Sequence, residues 1–411
     1  MDHGLLGGVG VRQDHPGRRR EVRSGDGPDR TDGAAAACGP PCPGGGAPAH
    51  DLRHHGDVDA TGGLLDFAVN VQGEAPPAWL RERLAATLDD LARYPSAARD
   101  ERARAAVARR HGRRPEEVLV LAGSAEGFAL LPELQPRLAA VVHPGFTEPE
   151  LALRTADVPV VRVPTAEADG HRLDPASVPD AADLVVVGNP TNPTGVLHPA
   201  ESLRALARPG RVLLVDEAFA DALPGEPESL AGEALPGVLV FRSLTKTWAL
   251  AGLRAGYALG APELLARLAR RRPHWPVSTP ALEAVTACCS PAAVAEGAAA
   301  AVRLQGWRVA QAAALAAVPG VTLLPGVAPF LLLRLPGGTG SQVRAALRDD
   351  GIAVRRGDTF PGLGPDHLRV AVRAPDQVAA LVAALQAALG RRGATAGADP
   401  ITTASTTAVS R

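Results

Sequence analysis

Lys246 is the only lysine among the 43 basic side chains of this chain. Where every other cation is an arginine, a retained lysine marks a position that a guanidinium cannot fill: arginine stays protonated, whereas an amine can lose its proton and attack a carbonyl. Upstream, Asp216 opens the string Asp216-Glu217-Ala218-Phe219 directly after the apolar run Val212–Val215. A carboxylate at the mouth of a buried strand needs a partner. Paired with a pyridinium nitrogen, it would keep that ring protonated and make it an electron sink. The string Asn189-Pro190-Thr191-Asn192-Pro193-Thr194-Gly195 follows Leu184–Val187 as a proline-stiffened turn, from which an asparagine amide could donate to a phenolate-like oxygen. Gly123-Ser124-Ala125-Glu126-Gly127 follows Val118–Leu121 and opens a helical stretch, where small residues and free N–H groups suit a phosphate. His143-Pro144-Gly145-Phe146 follows Leu138–Val142 and sets Phe146 to stack on a flat ring.

Each of these groups sits at the end of a short β-branched run. The runs are Val118–Leu121, Leu138–Val142, Val158–Val163, Leu184–Val187, Val212–Val215, Val238–Phe241 and Gly256–Leu259, with helix-like or turn-rich stretches between them. Nearly all-apolar strands in such alternation predict an α/β domain whose largely parallel, seven-stranded sheet is covered on both faces. After about residue 276 the pattern changes to helices at Thr279–Cys289 and Ala293–Ala317, strands near Val321–Leu324 and Phe330–Leu335, and a helix through Ser341–Asp350. Strands at Ile352–Arg355 and Leu368–Val372 and a last helix at Pro375–Leu389 complete a smaller α+β domain. The expected organisation is a disordered leader over 1–55, a segment 56–94 docking on the small domain, a large domain over 95–275, a small domain over 276–390, and a disordered tail over 391–411.

A formal net charge of −1 argues against bulk attraction to nucleic acid or anionic membrane, so an anionic ligand must be held by local arginines. No run of 18 or more residues is apolar and free of charge or proline, so no membrane span is expected. The start lacks a continuous apolar signal segment, and a cytoplasmic location is the expectation. Of the four cysteines, Cys38 and Cys42 lie in the leader, and Cys288 and Cys289 are adjacent; this is no disulfide framework, and a reducing compartment is the simpler reading. Cys38 and Cys42 with His50, His54 and His55 could be drawn as a metal cluster, but the flanking Gly-Pro-Pro and Pro-Gly-Gly-Gly predict disorder, and no metal is expected.

In their order and spacing, these motifs, with Ser243-Leu244-Thr245-Lys246 and Gly252-Leu253-Arg254-Ala255-Gly256-Tyr257, resemble the fold-type I pyridoxal phosphate superfamily, class I/II aminotransferase branch. The resemblance covers roughly Leu64 to Leu389. It implies that Lys246 forms the Schiff base with the cofactor, Asp216 pairs with the pyridine nitrogen, Asn192 bonds the ring hydroxyl and Phe146 stacks. It also implies that Ser124, Ala125, Ser243 and Arg254 hold the cofactor phosphate, with Glu126 and Phe219 beside them. Tyr94 resembles the tyrosine that reaches a partner subunit's phosphate, which implies a homodimer. Arg369 resembles the arginine that forks onto a substrate carboxylate, with Asn70, Arg355 and Arg373 as further substrate groups for a small, phosphorylated amino-acid substrate.

Two branches share all of this: histidinol-phosphate aminotransferases and L-threonine-O-phosphate decarboxylases. Asp66-Phe67-Ala68-Val69-Asn70, Phe219 in place of a tyrosine, and Phe360-Pro361-Gly362-Leu363 ahead of Leu368–Arg373 resemble the decarboxylase of cobalamin biosynthesis. The leading expectation is therefore decarboxylation of L-threonine O-3-phosphate to 1-amino-2-propanol O-2-phosphate. The alternative is a histidinol-phosphate aminotransferase-like transaminase, and a non-catalytic protein that keeps the cofactor fold is a third reading, opposed by the intact Lys246 and Asp216.

Overall fold

The computed structural model describes residues 51–395. Cys38, Cys42, His50, most of the expected leader and the tail after residue 395 lie outside the described residues. The strands, in chain order, are β1 (Leu65–Asp66), β2 (Val118–Leu121), β3 (Ala139–His143), β4 (Val160–Pro164), β5 (Leu184–Gly188), β6 (Val212–Asp216), β7 (Val238–Ser243), β8 (Gly256–Leu259), β9 (Thr322–Leu323), β10 (Phe330–Arg334), β11 (Ile352–Ala353), β12 (Arg355–Arg356) and β13 (His367–Ala371).

Each of the seven apolar runs becomes a strand of one sheet, in the order β2-β8-β7-β6-β5-β3-β4. The pairs among β4, β3, β5, β6 and β7 are parallel, and β8 runs antiparallel between β2 and β7. Both faces are buried: Val185, Val187, Leu213 and Val215 pack into one apolar cluster, and Leu184, Val186 and Leu214 into another. Double coverage explains why these strands read as continuous apolar runs rather than as alternating ones. The parallel strands also end on one edge, which gathers the residues after β3, β5, β6 and β7 into one crevice.

The smaller sheet, β12-β13-β10-β9, is antiparallel and carries its own core of Leu331, Leu333, Val354, Leu368, Val370 and Leu385. The segment upstream of the large sheet divides between the two cores. β1 pairs in parallel with β11, and Phe67 joins the small core, whereas Leu80 on helix Ala78–Ala85 is buried in the large one. The domain boundary expected at 276 is likewise displaced. Helix Thr279–Cys288 packs against helix Ala97–His111, and Leu282, Val285 and the free thiols of Cys288 and Cys289 lie in the large core.

The leader boundary expected at 55 also moves. Residues 51–55 are held by polar contacts: Thr147 Oγ1 donates to the Leu52 carbonyl at 2.8 Å, Arg355 Nη2 to the His54 carbonyl at 2.7 Å, and His55 Nε2 meets Glu148 Oε1 at 2.5 Å. Such anchoring leaves no apolar periodicity to read. Among the described residues no single helix is long and apolar enough to cross a membrane.

Candidate active site

A cavity of about 520 Å³ opens along the carboxyl edge of the large sheet, within the size range of small-molecule sites. Its wall includes Asn70, Ala125, Phe146, Asn192, Asp216, Phe219, Lys246, Arg254, Arg355 and Arg369. Ten of the residues expected to act on cofactor or substrate are thus brought together from positions spread over 300 residues. The reason is local: Asp216 is the last residue of β6, Lys246 lies three residues beyond β7, and Asn192 sits in the turn after β5.

At the end of β2, Gly123 has φ of +78° and Ser124 begins the helix Ser124–Ala129. A Cβ on Gly123 would lie 2.9 Å from Arg254 Nη2, so glycine is needed for the guanidinium to close on this turn. Arg254 itself is held in the left-handed region at φ of +61°, a conformation that costs energy in a non-glycine residue. Ser124 and Ser243 are buried beside the cavity rather than on its wall; Ser243 Oγ accepts from Thr245 N–H at 3.3 Å. Across from this cradle Phe146 forms a wall, and Phe219 packs edge-on to Phe330 with ring centroids 5.0 Å apart.

The electrostatics are those of a half-closed site. Burial, aided by Glu217, pushes the Asp216 carboxyl up to about 7, against the Ala218 N–H that it accepts at 3.1 Å and the Lys246 ammonium. Burial brings the Lys246 ammonium down to about 8, aided by Arg369 and Arg254 and opposed by Asp216. Burial also lowers Arg369 to about 9, with Arg355 adding repulsion. Arg369 donates to Asn192 Oδ1 and, at 2.6 Å, to the Ala68 carbonyl, but its buried Nε has no partner, nor has the buried Asn70 Oδ1. Unsatisfied polar atoms buried at a cavity wall are costly unless a ligand meets them.

Three expected site residues are engaged elsewhere. Glu126 turns away: its carboxylate accepts from Ala122 N–H at 2.7 Å and from Arg272 at 2.9 and 3.0 Å, so it closes the turn instead of contacting the cavity. Arg373 is spent on the backbone, donating to the carbonyls of Asp66, Val69 and Val71 at 2.8, 2.5 and 3.1 Å; it clamps the segment 66–71 and is not on the cavity wall. Tyr94 is exposed, stacked on Trp275 with ring centroids 4.1 Å apart, and is not on the cavity wall of its own chain. Arg355 does line the cavity, yet it already faces Asp59 Oδ2 at 3.5 Å and lies over the Phe360 ring.

Sequence reasoning missed His55, Gly56 and Asp57, which cover part of the wall. The one signal was Gly56, where a Cβ would fall 2.6 Å from the Ala68 carbonyl oxygen; the lack of apolar periodicity hid it.

The family model described as aminotransferase class I and II matches residues 63–385. A histidinol-phosphate aminotransferase of Mycobacterium tuberculosis is 56% identical over 327 residues, 80% of this chain and 88% of that protein. A threonine-phosphate decarboxylase of Salmonella typhimurium is 33% identical over 334 residues, 79% of this chain and 90% of that protein. The solved histidinol-phosphate aminotransferase of Sinorhizobium meliloti, in complex with pyridoxal-5'-phosphate, superposes with a TM-score of 0.69 at 23% identity, over 79% of this chain and 90% of that one. The decarboxylase expectation is thereby corrected: the mycobacterial relative named as a histidinol-phosphate aminotransferase is 56% identical, against 33% for the decarboxylase. Packing explains why the motifs misled. Phe219 packs on Phe330, and Phe360 and Leu363 on Leu324 and Leu332, so fit to these apolar neighbours accounts for their residue types whichever bond breaks.

Proposed function

Because the chain belongs to the class I and II aminotransferase family and is a pyridoxal phosphate enzyme, we propose that it transfers an amino group from a phosphorylated amine of the histidinol phosphate kind to a 2-oxo acid, working in the cytoplasm as a homodimer. The observation that carries this reading is the 56% identity to a histidinol-phosphate aminotransferase over four-fifths of the chain.

The residues present fit the cofactor. Gly123, Ser124, Ala125, Ser243 and Arg254 would take its phosphate, Asn192 its ring oxygen, Asp216 its ring nitrogen and Lys246 its carbonyl. When bound, the cofactor supplies an electron sink for the substrate carbon. The chain's own groups do the rest. Lys246, lowered to about 8, is roughly one tenth neutral at pH 7, far more than an ordinary lysine, and its Nζ can take and return the proton at the substrate carbon. Asp216 holds the ring nitrogen's proton. Phe146 and Phe219 confine a flat ring, and the enclosing walls exclude water. A transaminase must accept two anions in turn, a phosphorylated amine and a dicarboxylate acceptor; Arg369, with a free Nε, is the guanidinium placed to meet either. Tyr94, exposed on the surface, is assigned to the partner's site.

The test supplies the holoenzyme with L-histidinol phosphate and 2-oxoglutarate and measures glutamate. Glutamate should form in proportion to the amine consumed. Its absence, with glutamate instead formed from an unphosphorylated amino acid, would remove the phosphate from the reading.

A further inference from the structure

Behind the cavity floor lies a buried charge cluster that no step of the proposed reaction uses. Side chains alternate across a strand, so where Asp216 at the end of β6 faces the cavity, Glu217 faces the opposite side. The same alternation on β7 sets Arg242 opposite to Ser243. On that far side Arg242 Nη1 meets Glu217 Oε2 at 3.0 Å, with both side chains at 1% exposure or less. Arg242 Nη2 also reaches Asp221 and, at 2.6 Å, Glu226, and Arg110 bonds the same two carboxylates at 3.0 and 2.7 Å. Glu217 takes two further hydrogen bonds, from Ser229 Oγ at 2.6 Å and Leu230 N–H at 2.7 Å. Its backbone N–H donates to Phe241 on β7 at 2.9 Å, so the pair is built into the junction of the two strands that carry Asp216 and Ser243.

Three carboxylates thus share two guanidiniums, leaving a net negative charge in the cluster that Glu217, next to Asp216 in the chain, belongs to. Stability is a weak reason for such an arrangement, since buried ion pairs often do no better than apolar residues of the same volume. Its position suggests another reason. We propose that Glu217, held in place by Arg242, is a positioning residue whose negative charge sets how strongly Asp216 holds a proton, and through Asp216 how firmly the cofactor's ring nitrogen is kept protonated.

The groups around Asp216 act in opposite directions. On the cavity side the Ala218 N–H and the Lys246 ammonium favour the carboxylate, and Arg254 and Arg369 share that wall. Glu217 is the carboxylate that opposes them, and burial acts in the same direction as Glu217. Without it, burial would still hold the Asp216 proton, but less firmly against the Lys246 ammonium.

This inference rests on the reading of Asp216 as the ring nitrogen's partner, but it can be tested without cofactor or substrate. In the cofactor-free protein, the infrared band of a protonated carboxyl that disappears in Asp216→Asn identifies Asp216, and its intensity is followed against pH. Glu217→Gln keeps the shape and one accepting oxygen but removes the charge; its midpoint should fall by up to about one pH unit, as expected when a like charge is removed from beside a buried carboxylate. Glu217→Asp keeps the charge but not the fit, and should leave the midpoint near that of the parent. A purely structural role would reverse this order, with the shortened side chain disturbing the site more than the isosteric one. An unchanged midpoint in Glu217→Gln, or equal shifts in both variants, overturns the proposal. If Glu217→Gln gives no folded protein, Glu226→Gln at the more exposed edge of the cluster decides: a smaller fall supports the proposal and no fall overturns it. Failure of the aminotransferase reading would appear separately, as absent glutamate with the titration shifts intact.

Discussion

Replacing Lys246 by methionine should make the cofactor-free protein more stable at neutral pH while abolishing activity. Burial among Arg369 and Arg254 brings the ammonium from its ordinary 10.5 down to about 8. The unfolded chain therefore holds this proton more tightly than the folded one. Below pH 8 the folded state bears the whole penalty; between about 8 and 10.5 the unfolded state alone carries the proton, and stability rises with pH across that window. At ~1.4 kcal/mol per pH unit, a difference of about 2.5 gives roughly 3 kcal/mol, and partial hydration at the half-buried amine reduces this to about 2 kcal/mol. Methionine keeps most of the aliphatic stem without the charge, so the gain should survive loss of the ammonium's contacts. Urea unfolding of the cofactor-free Lys246→Met and parent proteins at pH 7 and near pH 11 measures it. A gain near 2 kcal/mol at pH 7 that vanishes at the higher pH is expected. No gain at pH 7, or an equal gain at both, would refute the assignment of Lys246 as a strained cation.

Borohydride treatment of the holoenzyme should fix the cofactor to the one peptide carrying Lys246, and peptide mapping after labelling at the amino terminus instead would overturn that assignment. Asp216→Asn should retain covalent attachment yet lose turnover by ~10²-fold or more, because a neutral amide no longer holds the ring nitrogen's proton; near-normal kcat would exclude Asp216 from that place. Asp59→Ala should leave Arg355 buried without its carboxylate, with Arg344 also unpaired, and cost ~3–5 kcal/mol in urea unfolding; a loss under 1 kcal/mol would mean that residues 51–61 are not a structural part of the fold. Arg373→Met should lower stability by freeing the carbonyls of Asp66, Val69 and Val71, with KM for both substrates unchanged in the protein that remains folded.

What the sequence displays and what it hides follow from how each part is held. Strands buried on both faces must be apolar along their whole length, so β2 to β8 stand out in the chain, and the chemistry of a parallel sheet collects at strand ends, so Asp216, Asn192 and Lys246 were legible with them. The segment 51–61 was not legible, because it is fastened by Asp59, His54 and His55 to Arg344, Arg355 and Glu148, and polar clasps have no period. The arginines were the hardest to sort. Arg369 and Arg373 lie four residues apart in one string, yet one has a buried Nε without a partner at the cavity and the other is saturated by three carbonyls that arrive from 300 residues away. Glu126 misled for the same reason: its neighbours in sequence suggested a role at the cavity, whereas Arg272, distant in sequence, holds its carboxylate. In a chain that writes nearly all its cations one way, the residue type stops discriminating among sites, and only the unsatisfied hydrogen-bonding capacity of each guanidinium does. By that measure Arg369 is available to a ligand and Arg373 is not. The lone lysine escaped this ambiguity because nothing else in the chain could take its place.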